Sequence, residues 1–312
     1  MLREFGRYVA DLERTDAYGR AIREQVRKGD VVVDVGAGFG LLSLLCARAG
    51  ARRVYAIEQG TYCELGRAIA QDNQLADRIV WVSANSLAVD LPERADVVVS
   101  ELFGQFALEE FVVEYLHDAR RRFLKPGGRM IPQELALALT PIEHEGLRHR
   151  LLPTHGQCWT NVAGFDLRRL QQAVLVNEAS PYVVEACRQA RALGPTVPFM
   201  HFELGESTSG RFLRRVVCPI DRPGVLDGIM GTFWARLSPS VELSTAPNAP
   251  PTHWSQVVFP KLPRTVVDPG DVAEVEIGFH PGGRWSFGLV ELRGHGDVRR
   301  QPGLRSALCS HR

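Results

Sequence analysis

The first 130 residues alternate short apolar runs with segments in which apolar residues recur every three or four positions. The apolar runs predict buried strands over residues 31–35, 53–58, 79–83 and 95–100. The longer spacing predicts helices over residues 7–28, 41–49, 63–73 and 108–124. Strands that alternate with helices in this way indicate an α/β domain with a doubly wound, Rossmann-like parallel sheet.

The pattern changes after residue 131. Short β-like runs, separated by turns rich in Pro, Gly and Asn, occupy residues 134–141, 231–237, 256–259, 272–279 and 285–292. They predict an antiparallel β-barrel, with a sandwich as the alternative. A polar, partly helical stretch over about residues 143–180 interrupts them. We therefore predict two domains, residues 1–131 and residues 132–312.

Composition excludes several classes of partner. The 312-residue chain has 37 Lys and Arg against 36 Asp and Glu, so its net charge of +1 predicts no nucleic-acid or membrane-surface partner. It shows neither a signal peptide nor the roughly 18 uncharged apolar residues of a membrane helix. Its six cysteines lack metal-ligand spacing, which predicts reduced thiols, a cytoplasmic location and no metal site.

A glycine cluster follows the first predicted strand. Asp34 precedes Gly36, Gly38 and Gly40, and Glu58 ends the second strand. Glycines let the backbone turn sharply and approach a ligand, and a carboxylate at the end of the second strand can accept both ribose hydroxyls of an adenosine. The spacing is GxGxG, whereas dinucleotide sites have GxGxxG. It favours S-adenosylmethionine (SAM) as cofactor, with a nicotinamide site or a ligand-free tight turn as alternatives.

Two glutamates bracket the loop after the fourth predicted strand. Glu110 follows Glu101 by nine positions, with Gly104 between them. Paired carboxylates in a cleft need a cation, and a guanidinium offers a planar fork of donors that carboxylates grip. The grip localises positive charge on the bound nitrogens and leaves the remaining nitrogen more nucleophilic. The loop therefore predicts methyl transfer to a guanidino nitrogen, while Glu109 and Glu114 are interpreted as a solvated helix face.

These residues resemble the protein arginine N-methyltransferase family. Glu101 and Glu110 match the family's two clamp glutamates, and residues 11–18 match its D-x-x-R-T-x-x-Y segment. Residues 252–254 match its Thr-His-Trp loop, so the resemblance extends over about residues 5–280. Residues 162–166 resemble part of the family's dimerisation arm, which implies a homodimer with an arm at about 145–175.

The resemblance also implies roles for individual residues. Arg14 is expected to pair with the carboxylate of SAM, and Glu101 to lie beside the cofactor. His253 is expected to pair with Asp11 and so close the N-terminal helix over the cofactor. Trp254 is expected to wall the arginine pocket.

The chain departs from the family at three places. The tyrosine-rich Y-F-x-x-Y helix expected before residue 11 is missing from the sequence, so another element is expected to cap SAM or the cleft to be more open. Tyr8 and Val112 occupy positions where the family often has methionine beside the clamp. Leu87 replaces the usual acidic adenine ligand, which leaves Asn85 and Ser86 as the candidate adenine contacts.

Several functions remain open from the sequence. The leading prediction is an arginine N-methyltransferase that acts on a protein or peptide. The alternatives are the same chemistry on free arginine or another small guanidino metabolite, and a catalytically silent SAM-binding partner subunit. A nicotinamide oxidoreductase is disfavoured by the glycine spacing.

Overall fold

The fold is that of a computed structural model, which describes residues 2–147, 161, 163–167, 169, 182–294 and 297–299. The predicted arm at about 145–175 lies mostly outside these residues. The helices are α1 (Leu2–Ala10), α2 (Leu12–Gln25), α3 (Leu41–Ala49), α4 (Cys63–Asp72) and α5 (Val112–Phe123). No described helix is long and apolar enough to cross a membrane.

The first domain is built on a five-stranded parallel sheet of order β3-β2-β1-β4-β5. Its strands are β1 (Val31–Val35), β2 (Arg53–Glu58), β3 (Ile79–Ser83), β4 (Ala95–Ser100) and β5 (Leu124–Ile131). Every residue of β1 is buried, because this central strand is covered on both faces. The carboxyl ends of β1, β2 and β4 lie at one edge of the sheet. The residues predicted to bind ligands lie at or directly after these strand ends.

Three local predictions for this domain were wrong. The segment predicted as one helix over residues 7–28 forms two helices, because Asp11 caps α2 and so separates it from α1. Leu12, which the prediction placed on the apolar face, is 74% exposed. The last helix begins at Val112 rather than at residue 108. The fifth strand was not predicted: Lys125-Pro126-Gly127-Gly128 form a bulge between two positions where β5 pairs with β4.

The second domain is antiparallel, as predicted, but its described strands form two sheets and no closed barrel. The larger sheet has the order β7-β13-β11-β6-β8, with β12 added on β11 and β9 on β6. Its strands are β6 (Glu134–Glu143), β7 (Val183–Glu185), β8 (Arg191–Ala192), β9 (Val197–Glu203), β11 (Gly224–Ser238), β12 (Val241–Ser244) and β13 (Gln256–Val267). The smaller sheet consists of β10 (Phe212–Pro219), β14 (Val272–His280), β15 (Arg284–Gly294) and β16 (Asp297–Arg299).

The two domains share one apolar core. A single cluster of buried residues extends from Val33 on β1 through Phe103 to Phe259 on β13. Polar contacts add to it, since Glu24 on α2 accepts hydrogen bonds from Ser238 Oγ (2.7 Å) and Ser240 Oγ (2.6 Å). The loop between β4 and α5 therefore lies between the parallel sheet and the antiparallel strands.

The turn between β1 and α3 is shaped by Trp81 on β3. Gly40 has φ 89°, and a Cβ atom at this residue would lie 2.4 Å from Trp81 Cη2. A Cβ atom at Gly66 on α4 would lie 1.9 Å from the same carbon. The indole ring therefore fills space that only glycines leave open, which fixes the turn against the sheet.

We expect Gly40→Ala to destabilise the protein more than Gly29→Ala. Both residues have the same left-handed backbone, with φ 89° and 90°, but nothing lies within 4 Å of a Cβ atom at Gly29. Backbone strain alone costs about 1–2 kcal/mol in each variant. The clash with Trp81 adds about 1–3 kcal/mol for Gly40→Ala. Urea denaturation of both variants measures the difference, and equal losses would contradict the packing role of Trp81.

Candidate active site

A cavity of about 520 Å³ opens at the carboxyl edge of the parallel sheet. Its size is typical of small-molecule sites. The N-terminal helices, the turns after β1 and β2, the loop after β4 and the segment before β13 all contribute to its walls. Its polar lining residues are Tyr8, Arg14, Asp34, Glu58, Gln59, Tyr62, Asn85, Ser86, Glu101, Glu109, Glu110, Tyr115 and His253.

Asp34, at the end of β1, is a buried carboxyl group that is only half satisfied. Its Oδ2 accepts a hydrogen bond from Ser43 Oγ (2.6 Å), whereas its Oδ1 is buried without a partner. Burial raises the pKa of Asp34 to about 7. Gly36 and Gly38 follow with positive φ angles of 74° and 55°, which turn the chain away from the cavity floor. Asp34 is one of the residues that line the cavity, so a donor on a bound ligand would satisfy this oxygen.

Glu58, at the end of β2, is fixed by backbone donors. Gly38 N donates to Oε2 (2.8 Å) and Gly60 N donates to Oε1 (2.5 Å). A carboxylate accepts about four hydrogen bonds, so each oxygen keeps acceptor capacity toward the cavity. This position suits the recognition of two neighbouring hydroxyl groups.

Asn85 and Ser86 also line the cavity, but the side chain of Asn85 is hydrogen-bonded within the protein. Asn85 Nδ2 donates to Gln59 Oε1 (2.9 Å) and to Tyr115 Oη (3.0 Å), and its Oδ1 accepts from Leu87 N (2.9 Å). The side chain of Leu87 is 52% exposed and is not among the lining residues.

Arg14 and Glu101 form an ion pair inside the cavity. Arg14 Nη1 donates to Glu101 Oε2, and both side chains are largely buried. Arg14 Nη2 also donates to the carbonyl oxygen of Tyr8 (3.1 Å), while its Nε is buried without a partner. The other oxygen of Glu101 accepts from Phe103 N (3.1 Å). One glutamate of the predicted clamp is therefore already beside a cation.

Glu110 is open to the cavity and forms no ion pair with any described residue. Its surroundings, together with the negative charges of Glu101, Glu109 and Glu58, raise the pKa of Glu110 to about 7. Loss of hydration is the largest cause, since neighbouring groups displace part of the water that would stabilise its charge, although the residue as a whole is exposed. A cation bound beside Glu110 would remove this penalty.

Glu109 and Glu114 do not form the solvated helix face that the sequence suggested. Glu109 precedes α5, which begins at Val112, and Glu114 lies on the first turn of α5 but contacts other protein groups. Glu109 accepts hydrogen bonds from Tyr182 Oη (2.5 Å) and from Trp285 Nε1 (3.0 Å). Glu114 Oε1 accepts from Gly210 N (2.9 Å). Both side chains therefore bind the second domain.

Asp11 and His253 are in direct contact across the domain boundary. His253 Nδ1 lies 2.7 Å from Asp11 Oδ2, and the backbone N–H of His253 donates to the same oxygen (2.7 Å). The second oxygen of Asp11 caps α2 by accepting from Arg14 N (2.9 Å). Burial alone would raise the pKa of Asp11, but these hydrogen bonds lower it overall.

Relatives of this chain are methyltransferases. Residues 137–287 match the family profile of the arginine methyltransferase oligomerization subdomain, and residues 13–130 match that of the TRM5/TYW2 methyltransferase domain. Protein arginine N-methyltransferase 1 of Chlamydomonas reinhardtii is 30% identical over 257 residues, or 80% of this chain and 73% of that protein. Protein arginine N-methyltransferase PRMT10 of Oryza sativa subsp. japonica is 30% identical over 296 residues, or 86% and 78%.

The chain belongs to the protein arginine N-methyltransferase family. The family predicted from residues 11–18, 101–110 and 252–254 is thus confirmed, and with it the methyltransferase class of enzyme. The fold agrees: a chain of the Trypanosoma brucei PRMT1 enzyme-prozyme heterotetrameric complex with AdoHcy superposes with a TM-score of 0.82. The two chains are 24% identical, and the match covers 94% of each.

Three residues that the sequence placed at the site do not line the cavity. Trp254 does not line the cavity: it is 1% exposed and packs behind Phe103, to whose carbonyl oxygen its Nε1 donates (3.0 Å). Gly40 also lies outside the lining, against Trp81. Val112, expected beside the clamp, is fully buried at the start of α5. Phe103 and His253, the neighbours of Trp254, do line the cavity.

The sequence pattern missed other lining residues. Tyr62 and Tyr115 lie on the cavity, although neither stands in a recognisable motif. Glu109 lines it too, although the sequence assigned it to a solvated helix face. Gly104 is the one sequence feature that indicates the position of Glu109. In the structure, a Cβ atom on this glycine would lie 2.5 Å from Glu109 Oε2, so only glycine fits there. A glycine in the middle of an acidic loop therefore marks where the loop folds back on itself.

We expect Asp11→Asn to destabilise this arginine methyltransferase family member by about 1–3 kcal/mol at pH 7, because a helix cap and a charged hydrogen bond are weakened. Since the folded-state pKa of Asp11 is lowered, this stabilisation exists above the unfolded-state pKa near 3.9. It disappears as the pH falls through the folded-state value. Urea denaturation at pH 7 and pH 3.5 measures the change.

Asp16→Asn is the matched control, because Asp16 is on the same helix and forms only an exposed pair with Arg20 (3.0 Å). Its loss should stay below about 0.5 kcal/mol. A loss for Asp11→Asn that is equal at the two pH values would contradict the role of its charge.

Proposed function

We propose that this protein transfers a methyl group from SAM to a guanidino nitrogen of arginine in a protein or peptide. The observation that carries the proposal is the pair of glutamates at one cavity. Glu101 and Glu110 both line it, and Glu110 has no cationic partner among the described residues. A planar cation with several N–H donors satisfies both the charge and the geometry of such a pair.

The other end of the cavity fits SAM. Asp34 Oδ1 and Arg14 Nε are buried polar atoms without partners, so a ligand with a donor and an acceptor would satisfy them. SAM supplies an electrophilic methyl group on a positively charged sulfur. We assign its carboxylate to Arg14, its ribose hydroxyls to Glu58 and its adenine to the segment of Asn85 and Ser86. Gly36 and Gly38 let the backbone lie close to it.

Glu101 and Glu110 hold the substrate guanidinium and orient its free nitrogen. Their negative charge offsets the repulsion between two cations in one cavity. Glu101 lies between the cofactor end and the substrate end of the cavity. Its Oε2 already accepts from Arg14, and its Oε1 accepts from the backbone N–H of Phe103. Glu110 is the glutamate with free acceptors, so it makes the larger contribution to binding.

Glu110 also accepts the proton that leaves the substrate. A guanidinium has a pKa above about 12, so its proton leaves during or after methyl transfer. Loss of hydration and the neighbouring acids raise the pKa of Glu110 to about 7, and a base near this value is effective at neutral pH. The cavity connects Glu110 to solvent, which removes the proton after the reaction.

Asp11 and His253 close the cavity over the cofactor. Tyr8 and His253 line it together, with ring centroids 4.8 Å apart. Arg7 Nη2 donates to the carbonyl oxygen of His253 (3.3 Å), so α1 is tied to the same segment. These contacts support a lid made of α1 and residues 252–254.

We expect methyl label from SAM to appear on arginine residues of a protein extract rather than on free arginine. Label on free arginine alone would move the assignment to a small guanidino substrate. Absence of label on both, with retained binding of S-adenosylhomocysteine, would favour the silent subunit. Mass spectrometry of the products identifies the methylated nitrogen.

We expect Glu110→Gln to lower kcat/KM roughly 100- to 10,000-fold, because the clamp loses a charge and the reaction a base. In the wild type, kcat/KM should rise with pH through about 7, since Glu110 must be ionised. Glu64→Gln, on the exposed face of α4, is the control and should match the wild type. A wild-type pH profile that is flat between pH 5.5 and 8.5 would contradict this role of Glu110.

We propose that the enzyme acts as a homodimer in the cytoplasm. The match of residues 137–287 to an oligomerization subdomain supports self-association. Four described cysteines, all buried, form no disulfide, which supports a reducing compartment. Multi-angle light scattering should give about twice the chain mass of 34.6 kDa, and a stable monomer at micromolar concentration would contradict the dimer.

A further inference from the structure

Glu109 joins the clamp loop to both sheets of the second domain. Its Oε1 accepts from Tyr182 Oη (2.5 Å), directly before β7, and from Trp285 Nε1 (3.0 Å) on β15. The backbone N–H of Phe106 donates to both of its oxygens (3.0 Å). Donors from three separate segments thus converge on one carboxylate that neighbours Glu110.

The loop that Glu109 holds has an unfavourable backbone. Ala107 and Phe111 have positive φ angles of 68° and 58°, which residues with side chains rarely adopt. Gly104 and Ala107 also bond each other's backbones in both directions (3.3 and 3.0 Å). Such a conformation persists only where surrounding contacts hold it. Ala107 and Phe111 flank Glu109 and Glu110, so the strained positions set the direction of both side chains.

We propose that Glu109 is a positioning residue of the arginine site, whose clasp to Tyr182 and Trp285 directs Glu110 into the cavity and sets its charge environment. The inference rests on the proposed function, because it concerns the glutamate that would bind the guanidinium. Glu109 acts through Glu110: its own oxygens are occupied by protein donors.

Glu109 acts on Glu110 through its charge in the pH range where it is ionised. Burial raises the pKa of Glu109, whereas its hydrogen bonds from Tyr182 and Trp285 favour the ionised form. The two basic groups on the cavity are already paired, Arg14 with Glu101 and His253 with Asp11. The remaining titratable side chains on its walls are Tyr8, Asp34, Glu58, Tyr62 and Tyr115. The negative charge of Glu109 is one of the causes that raise the pKa of Glu110. Removing that charge should therefore let Glu110 ionise at lower pH.

Two variants separate the charge of the clasp from its geometry. Glu109→Gln keeps the size and one acceptor oxygen for Tyr182 and Trp285 but removes the charge. The double variant Tyr182→Phe/Trp285→Phe keeps the charge but removes both donors. Glu114→Gln is the matched control, because Glu114 binds Ser209 and Gly210 outside the cavity. Binding of S-adenosylhomocysteine verifies that each variant is folded.

The measurements are a carbon-13 NMR titration of the Glu110 carboxyl group, assigned with Glu110→Gln, and kcat and KM on an arginine peptide. Glu109→Gln should move the Glu110 midpoint, and the acidic limb of kcat/KM, to lower pH by about half a pH unit or more. The double variant should lower kcat roughly 10- to 100-fold, because the nitrogen is misaligned. Glu114→Gln should change neither.

An unchanged Glu110 midpoint in Glu109→Gln, or an unchanged kcat in the double variant, overturns the proposal. If the wild type methylates no arginine, the proposed function fails, whereas the Glu110 titration still tests the clasp because it requires no turnover.

Discussion

The crowding of carboxylates at the carboxyl edge of the parallel sheet constrains the rest of the structure. Like charges in a partly buried cavity repel each other and lose hydration. The fold stabilises most of them with its own donors: Ser43 for Asp34, two backbone N–H groups for Glu58 and Arg14 for Glu101. Glu110, in contrast, has no cationic partner among the described residues. The raised pKa of Glu110 reflects this deficit, and the proposed guanidinium substrate would offset it.

The contacts that satisfy these acids also join the domains. Asp11 binds His253 before β13, and Glu109 binds Trp285 on β15. Gln105 in the clamp loop donates to the carbonyl oxygen of Trp254. The part of the cavity wall formed by His253 and Glu109 therefore depends on the packing of the antiparallel strands against the parallel sheet. Stability of the domain interface and geometry of the site are set by the same interactions.

The sequence predicted the features that local patterns determine. The four apolar strands were placed correctly because buried parallel strands are continuous apolar runs. The fifth strand was missed, since its Pro and Gly residues are tolerated only in a bulge against β4. Glu109 was misassigned because helical spacing over 108–124 does not reveal the positive φ at Phe111 that delays α5. Trp254 was placed on the cavity because a motif identifies a residue's neighbourhood and not its burial.

The spacing of the segment over residues 11–18 has a physical explanation. Residues three and four positions apart lie on one face of a helix, so Asp11, Arg14 and Tyr18 share a face of α2 and its cap. Asp11 holds His253, and Arg14 holds Glu101. Tyr18 Oη donates to the carbonyl oxygen of Ser100 (3.1 Å), the residue before Glu101. One short helical face therefore fixes His253, Glu101 and the end of β4, which explains why so short a motif predicts so much of the candidate site.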